Sequence, residues 1–213
     1  MDFHDGGLEN KIVEAKNILR KQNDKPANSA AILFTGSKET TVILDLVRDM
    51  YDGRVPYPVV HIDTGLETEE LYEYRDKIQK EWNFSIEVVK RHGTLSPDDI
   101  TGHEEECCKK FKVESLRESI GEHGWKALIF DPRDSGFEGI SGFISVVNPV
   151  AHFEELDFWK YIRQKSLPFC SLYRKGFRFI SCEPCLRPWL RRNEPSEENK
   201  EEIINRLKTL GYF

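Results

Sequence analysis

The amino-acid sequence predicts an α/β protein in which a mostly parallel sheet is flanked by helices. Apolar residues alternate between short strand-like runs and longer stretches with helical spacing, which is typical of this fold class. The 213 residues, of which 38% are hydrophobic, suit one compact domain. The formal net charge of −6 argues against a broad basic surface for nucleic acid and leaves only a local patch such as Arg187, Arg191 and Arg192.

The predicted elements follow one another along the chain, with strands as short apolar runs and helices with apolar residues at three- and four-residue spacing. In the first half we expect helix 8–21, strand 30–34, helix 39–51, strand 59–63, helix 68–82 and strand 86–89. In the second half we expect helix 108–120, strand 126–131, strand 143–147 and helix 154–163.

The last predicted helix, 196–210, has the clearest ends. Ser196 can cap it, Glu197 and Glu198 suit its positive end, and Gly211 can stop it. Residues 191–198 are polar, include Pro195 and indicate a linker to this helix. We therefore predict a single α/β domain over 1–190, followed by a linker and a C-terminal helix over 191–213.

No segment of the sequence predicts attachment to a membrane. No window approaches the roughly 18 uninterrupted apolar residues of a spanning helix, and residues 1–10 are acidic and polar, unlike a signal peptide. We expect a soluble, cytoplasmic protein. Five cysteines do not suit a disulfide framework there, because the reducing cytosol removes disulfides and an odd number cannot pair completely.

The spacing of the cysteines indicates a metal centre with one thiol left over. Cys107 and Cys108 are adjacent, Cys182 and Cys185 form Cys-Glu-Pro-Cys, and Cys170 stands apart. Adjacent cysteines cannot easily aim both thiolates at one tetrahedral zinc ion, whereas the separate iron corners of a cubane cluster can accept them. A zinc site, or buried cysteines that act as small apolar side chains, are the alternatives.

The segment after the first predicted strand has the features of an anion-binding loop. Small residues let backbone N–H groups approach an anion, hydroxyls can donate to phosphate oxygens, and the start of the next helix adds partial positive charge. The Gly-Lys-Ser/Thr ending of a Walker loop is absent. The alternative is an ordinary, well-capped turn. The candidate nucleotide-binding residues are Thr35, Gly36, Ser37, Lys38, Glu39 and Thr40.

A second candidate loop, His61-Ile62-Asp63-Thr64-Gly65, follows the next strand. Both loops should face one crevice, because open α/β sheets bind ligands beyond the carboxyl ends of their strands. Asp63 could bind Mg²⁺ or orient an adenosine together with Thr64, and Gly65 could permit the close approach of a ligand. The alternative is a turn in which Asp63 and Thr64 only cap the next helix. We expect His61 to be packed within the strand.

Three motifs together resemble one known family. The segment from Thr35 to Thr40 resembles the pyrophosphate-binding loop of the PP-loop ATP pyrophosphatases, and the second loop resembles a motif of adenylyl-sulfate and phosphoadenylyl-sulfate (APS/PAPS) reductases. The cysteine pairs and their flanks resemble the [4Fe–4S] motif of the same reductases. The resemblance implies a Rossmann-like (HUP/PP-loop) fold, commonly dimeric, and a [4Fe–4S] cluster held by Cys107, Cys108, Cys182 and Cys185.

The same resemblance implies further roles and exposes departures from the family. Lys112 would lie near both the cluster and the nucleotide, and Arg133 with Asp134 would belong to a loop that contacts the substrate. Reductases carry a catalytic cysteine in a C-terminal tail, but no cysteine follows Cys185 here, so Cys170 is either a replacement or an inert buried thiol. The hydroxyl and carboxylate that the phosphate loop retains favour ATP as the ligand.

These observations predict a PAPS reductase-like iron–sulfur enzyme that cleaves ATP between its α and β phosphates during sulfur incorporation. We expect Glu39, Asp63, Lys112 and Arg133 to act in catalysis, with Mg²⁺ shared by Glu39 or Asp63. A sulfur donor or thioredoxin-like partner, and a nucleic-acid acceptor as in DNA phosphorothioation, are expected by analogy. The alternatives are an APS/PAPS reductase whose thiol comes from Cys170 or a partner, and a noncatalytic nucleotide-binding redox subunit.

Overall fold

A computed structural model describes residues 6–23, 29–90, 104–133, 136–137 and 139–186. The predicted α/β fold is confirmed, since five parallel strands form one sheet in the order β3-β2-β1-β4-β5. The predicted linker and C-terminal helix lie outside the described residues. The strands are β1 (Ala30–Leu33), β2 (Val59–Asp63), β3 (Ile86–Lys90), β4 (Ala127–Ile129) and β5 (Ser145–Val147).

Helices connect these strands and cover the sheet. A π-helical segment, Cys108–Val113, joins α4 and α5 into one continuous rod, and short 3₁₀ helices occupy Ile140–Gly142 and Ser171–Lys175. The predicted helix 108–120 is therefore longer than expected and changes its winding. The helices are α1 (Gly6–Asn23), α2 (Lys38–Met50), α3 (Glu69–Trp82), α4 (Glu104–Cys107), α5 (Glu114–His123) and α6 (Glu155–Lys165).

The two faces of the sheet build two apolar cores. Successive residues of a strand point to opposite faces, so Ile32 belongs to the core formed with α1, α2 and α6, while Ala31 and Leu33 belong to the core formed with α5. Every residue of β1 is buried as a result. The continuous apolar run in the sequence reflects this central position, because a strand covered on both faces has no polar side.

The order in which the chain adds strands to the sheet reverses beside β1. From β1 the chain moves outward to β2 and β3, and it then returns to β4 and β5 on the other side of β1. Ligands of open α/β sheets bind at such a reversal, beyond the carboxyl ends of the strands. The loops after β1, β2 and β4 therefore frame the candidate site. Within the described part of the chain, no helix combines the length and apolar character that crossing a membrane requires.

Candidate functional site

The loop between β1 and α2 forms a cluster of hydroxyl groups. Ser37 is the N-cap of α2, and its Oγ accepts from the backbone N–H of Thr40 at 3.2 Å. The Oγ1 of Thr35 lies 3.1 Å from the Oγ of Ser37, and the two threonine oxygens lie 3.4 Å apart. The Oγ1 of Thr40 also donates to the carbonyl of Ser37 at 3.1 Å, and Ser37 and Thr40 are buried behind Thr35, which lines the crevice. Hydroxyls beside a helix N-terminus are of the kind that binds anions. The structure thus brings together the predicted residues Thr35, Ser37 and Thr40.

Gly36 has a backbone that a side chain would strain and crowd. Its φ is +76°, and a Cβ built on it would lie 2.1 Å from the Cδ1 of Leu71, a buried core residue. We expect Gly36→Ala to cost about 1–2 kcal/mol for the left-handed backbone and roughly 1–3 kcal/mol more for the overlap. The free energy of unfolding in denaturant measures this loss.

Gly53→Ala is the matched control for that substitution. Gly53 has a similar φ of +82°, but no atom lies within 4 Å of its virtual Cβ. Only the backbone cost should therefore appear in this variant. Equal losses of stability in the two variants would show that Leu71 moves aside freely.

Lys38 and Glu39 make contacts within the protein, and their roles at a nucleotide remain predictions. The Nζ of Lys38 lies 2.8 Å from Glu39 and 3.2 Å from Glu155, and it donates to the carbonyl of Arg178 at 3.2 Å. Burial lowers the pKa of Lys38, but the two carboxylates outweigh burial and raise it. The backbone N–H of Lys38 donates to the hydroxyl of Tyr173 at 3.0 Å. These contacts tie the start of α2 to α6 and to the chain that follows it.

The carboxylate of Asp63 takes part in a turn. Its Oδ1 accepts from the backbone N–H of Gly65 at 2.8 Å and from the hydroxyl of Tyr72 at 2.9 Å, and its Oδ2 lies 3.8 Å from the Nη1 of Arg75. Asp63 thus closes a local turn at Gly65, but it does not cap the next helix as the alternative expected, because the N-cap of α3 is Thr68. The roles of Asp63 in binding Mg²⁺ or adenosine remain predictions.

A buried histidine–glutamate pair links the first two loops, and sequence reasoning missed it. The Nδ1 of His61 lies 2.8 Å from the carbonyl oxygen of Phe34, and its Nε2 lies 2.9 Å from the Oε2 of Glu67. The two side chains are 3% and 5% exposed. His61 is packed in the strand as expected, but Glu67 carried no motif signal, since its contact depends on how the second loop folds back.

A crevice opens between these loops at the strand ends. Its polar wall consists of Thr35 from the first loop, His61 and Glu67, Lys112 from the π segment, and Ser181 from the chain after α6. The crevice therefore places the hydroxyl of Thr35 near an imidazole, an ammonium and a carboxylate. The role of Lys112 at a cluster and a nucleotide remains a prediction.

The four clustered cysteines line a second cavity beside the crevice. Cys107, Cys108, Cys182 and Cys185 share this cavity with Thr64, Leu66, Phe111 and Lys112. Lys112 and Cys182 line both spaces, so the crevice and the cysteine cavity are neighbours. The Oγ1 of Thr64 lies 3.2 Å from the Sγ of Cys182, and the N–H of Glu183 donates to the carbonyl of Leu66 at 2.8 Å. These bonds join the second loop to the cysteine segment.

The charge of Lys112 is stabilised by its neighbours on both sides. Burial lowers the pKa of its ammonium, but the sulfurs of Cys182 and Cys108 and the carboxylate of Glu67 outweigh burial and raise it. Gly136, in the loop after β4, has a φ of +96°, and a Cβ there would lie 3.1 Å from both the Sγ of Cys108 and the Nζ of Lys112. A side chain at this position would strain the backbone and press on Cys108 and Lys112.

Cys170 lies in a different environment from the four clustered cysteines. It is 0% exposed within the core shared by α1, α2 and α6, and its Sγ donates to the carbonyl of Glu70 at 3.6 Å. Burial raises the pKa of its thiol to about 11. The structure therefore supports the inert alternative for Cys170 over its use as a nucleophile, because the thiolate is the reactive form.

We expect Cys170 to resist alkylation by iodoacetamide at neutral pH in the folded protein and to react fully after denaturation. Peptide mass spectrometry measures both states. Cys185, which is half-buried, is the internal comparison in protein freed of metal. Rapid labelling of Cys170 under native conditions would contradict its burial and reopen its use as a nucleophile.

Arg133 makes its contacts with the protein itself. Its guanidinium binds both oxygens of Asp131, with Nε 2.9 Å from each, and donates to the carbonyls of Phe153 and Val150 at 2.9 and 3.0 Å. Asp131 also accepts from the side-chain amide of Asn148 at 3.2 Å. This network ends β4 earlier than predicted, because Asp131 turns inward to bind Arg133. The catalytic role of Arg133 remains a prediction, and Asp134 lies outside the described residues.

A parallel sheet whose strand order reverses beside β1, with a crevice at the carboxyl ends of its strands, defines a Rossmann-like α/β protein. Comparison with known families then places it: the chain belongs to the phosphoadenosine phosphosulfate reductase domain family, whose sequence pattern matches residues 29–188. The matched segment contains both loops and all four clustered cysteines.

Relatives of two kinds resemble this chain. The 5'-adenylylsulfate reductase 1 of Arabidopsis thaliana is 29% identical over 86% of this chain, which spans only 43% of that protein. Sulfate adenylyltransferase subunit 2 of Rhizobium tropici is 24% identical over 100% of this chain and 78% of its own length.

Solved structures share the fold. Phosphoadenylyl-sulfate reductase from Candida auris, in a phosphate complex, has a TM-score of 0.62 at 16% identity and covers 86% of this chain and 97% of its own. FMN adenylyltransferase of Candida glabrata in complex with ATP has a TM-score of 0.64 at 16% identity and covers 85% of this chain and 64% of its own.

Proposed function

We propose that this chain is an ATP pyrophosphatase of the PAPS reductase family that acts in sulfur incorporation and carries a [4Fe–4S] cluster. The observation that carries the proposal is the group of three hydroxyls, from Thr35, Ser37 and Thr40, at the N-terminus of α2. This group suits a leaving pyrophosphate, which ATP supplies and adenylyl-sulfate does not. The relation to sulfate adenylyltransferase subunit 2 supports nucleotide chemistry of this kind.

The cysteine cavity fits an iron–sulfur cluster. Within the part of the chain that the structure describes, no three His, Cys, Asp or Glu side chains are arranged to hold a single metal ion. A cubane cluster does not need such convergence, because each of its irons takes one thiolate. Cys107, Cys108, Cys182 and Cys185 would hold it, and Lys112 would offset the negative charge of the thiolates. The cluster would supply electrons or an iron site for sulfur.

The residues of the chain have separate roles in the proposed reaction. An acceptor oxygen forms a bond to the α-phosphorus, the bond between the α-phosphorus and the bridging oxygen breaks, and its electron pair leaves with pyrophosphate. The hydroxyls of Thr35, Ser37 and Thr40 would donate to the leaving group, Thr40 by exchanging its bond to the carbonyl of Ser37 for one to phosphate, and Lys112 balances charge in the crevice. Mg²⁺ would enter with the phosphates of ATP, because Glu39 and Asp63 already bind protein groups.

We propose further partners by the same relation to known enzymes. A sulfur donor or thioredoxin-like protein would react at the cluster. A second subunit is a further candidate partner, because the adenylyltransferase relative is one subunit of its enzyme. A nucleic acid is one candidate acceptor, and a homodimer is a candidate assembly. The competing function is an APS/PAPS reductase, which the plant relatives favour. Its thiol would come from a partner, because Cys170 is buried.

The products formed from different nucleotides test this proposal. Protein purified without oxygen is incubated in parallel with ATP, adenylyl-sulfate or phosphoadenylyl-sulfate, and AMP, pyrophosphate and sulfite are measured. We expect pyrophosphate from ATP, reduced about 10²-fold by Thr40→Ala, since loss of one transition-state donor has that order of effect. Ser145→Ala, on the exposed side of β5, is the hydroxyl-removal control.

The other outcomes select the other functions. Thiol-dependent sulfite release without pyrophosphate would identify a reductase and overturn the proposal. Nucleotide binding without either product would identify a noncatalytic subunit.

A further inference from the structure

The pair of His61 and Glu67 has a protonation pattern that its geometry determines. The carbonyl oxygen of Phe34 can only accept, so the Nδ1 of His61, 2.8 Å away, must carry a hydrogen. The Nε2 of the same ring lies 2.9 Å from a carboxylate oxygen of Glu67, and this contact also needs a proton. The pair therefore holds one shared proton beyond the Nδ1 hydrogen, located on either the imidazole or the carboxyl group.

The pair of His61 and Glu67 lies at the wall of the crevice. The Glu67 side chain is 5% exposed, and both His61 and Glu67 line the crevice together with Thr35 of the hydroxyl-lined loop. Within the described residues, the charged and titratable groups that act on Glu67 include His61 from β2, Lys112 from the π segment and Tyr72 from α3. When the shared proton lies on His61, Glu67 is a carboxylate at the wall of the crevice, within reach of the proton of an acceptor bound there.

Building on the function proposed above, we propose that Glu67, held in position by His61, is the general base that takes the proton of the acceptor. The acceptor oxygen then bonds to the α-phosphorus, pyrophosphate leaves with the electron pair of the broken bond, and the acceptor proton passes to the carboxylate. Sulfate carries no proton on its oxygens at neutral pH and would not need this group. The pair thus defines the acceptor class as one with a hydroxyl group, and water is its simplest member.

Hydrolysis of ATP to AMP and pyrophosphate, with water as the acceptor, tests this role. Glu67→Gln keeps the size of the side chain and can donate to the Nε2 of His61, but it removes the base. We expect its kcat to fall between about 10²- and 10⁴-fold, the usual contribution of general acid–base catalysis, while KM for ATP and the melting temperature change little. Glu69→Gln removes a carboxylate at an exposed position of α3 and should match the wild type.

A second variant separates catalysis from support of the structure. Glu67→Ala leaves room for a small acid, so added formate should restore part of its activity, which a merely structural role for Glu67 does not predict. Wild-type turnover in Glu67→Gln, or no rescue of a folded Glu67→Ala protein, would overturn this inference alone. Stimulation of pyrophosphate release by sulfate with an equal rate in wild type and Glu67→Gln would also overturn it. A wild-type protein that releases no pyrophosphate from ATP would overturn both the inference and the proposed function.

Discussion

Replacing Cys182 by serine is expected to leave the anaerobically purified protein almost without iron. A serine hydroxyl is a poor substitute for a thiolate, which is the ligand that iron–sulfur clusters require. Cys182 is 7% exposed, lies on the wall between the crevice and the cysteine cavity, and contacts the hydroxyl of Thr64 at 3.2 Å. Serine is close to it in size, so the fold should persist. Iron and acid-labile sulfide per chain, expected at about four each in the wild type, measure the effect.

Cys170→Ala is the matched control for the loss of iron. Cys170 is buried in the apolar core formed with α1, α2 and α6, and it does not line the cysteine cavity. This variant should retain the iron of the wild type. Equal iron contents in Cys182→Ser and wild type, or a wild type that binds only zinc, would contradict the cluster.

Arg133→Ala is expected to lower the free energy of unfolding by about 1–3 kcal/mol, the usual cost of leaving a buried hydrogen-bonding group short of partners, because the carboxylate of Asp131 is buried while Arg133 is half exposed. Asp131 is fully buried, and among the described residues it would keep the amide of Asn148 and a backbone N–H as donors. The reverse change, Asp131→Ala, should cost less. The side chain of Arg133 is 51% exposed, so water can solvate the guanidinium that remains.

The double variant Asp131→Ala/Arg133→Ala completes the cycle, and it should be more stable than Arg133→Ala alone. Chemical denaturation measures all four proteins, and nucleotide turnover is followed alongside. A stable Arg133→Ala protein that has lost turnover would contradict the structural role and support the catalytic role predicted from the family.

The sequence predicts most of the fold because its signals are local. The bounds of β2 match the predicted strand, and both loops lie where their small and capping residues place them. The two cysteine pairs are far apart in the chain, yet they line one cavity, as their motif implied. The short lengths of β4 and β5 were not predictable from apolar pattern alone. The inward turn of Asp131 decides where β4 ends, and a 3₁₀ helix at Ile140–Gly142 precedes β5.

The parts of the site that the sequence did not predict depend on contacts between distant segments. Lys38 lies in a motif typical of phosphate binding, but Glu155 and the carbonyl of Arg178 draw its ammonium away toward α6. Glu67 becomes a crevice residue only because His61 reaches it from the strand. No local pattern encodes such contacts, since they appear only when helices and loops from separate parts of the chain pack together.

The π segment changes the direction in which side chains point between α4 and α5. Each residue of an α-helix advances the side chain by about 100°, and a π turn accommodates one extra residue. At its start Cys107 and Cys108 line the cavity, and at its end Val113, followed by Leu116, packs in the apolar core. Deleting one residue from Cys108–Val113 would restore uniform winding. It would also turn either the thiols or the apolar face away, so ligand geometry and core packing constrain the length of this segment together.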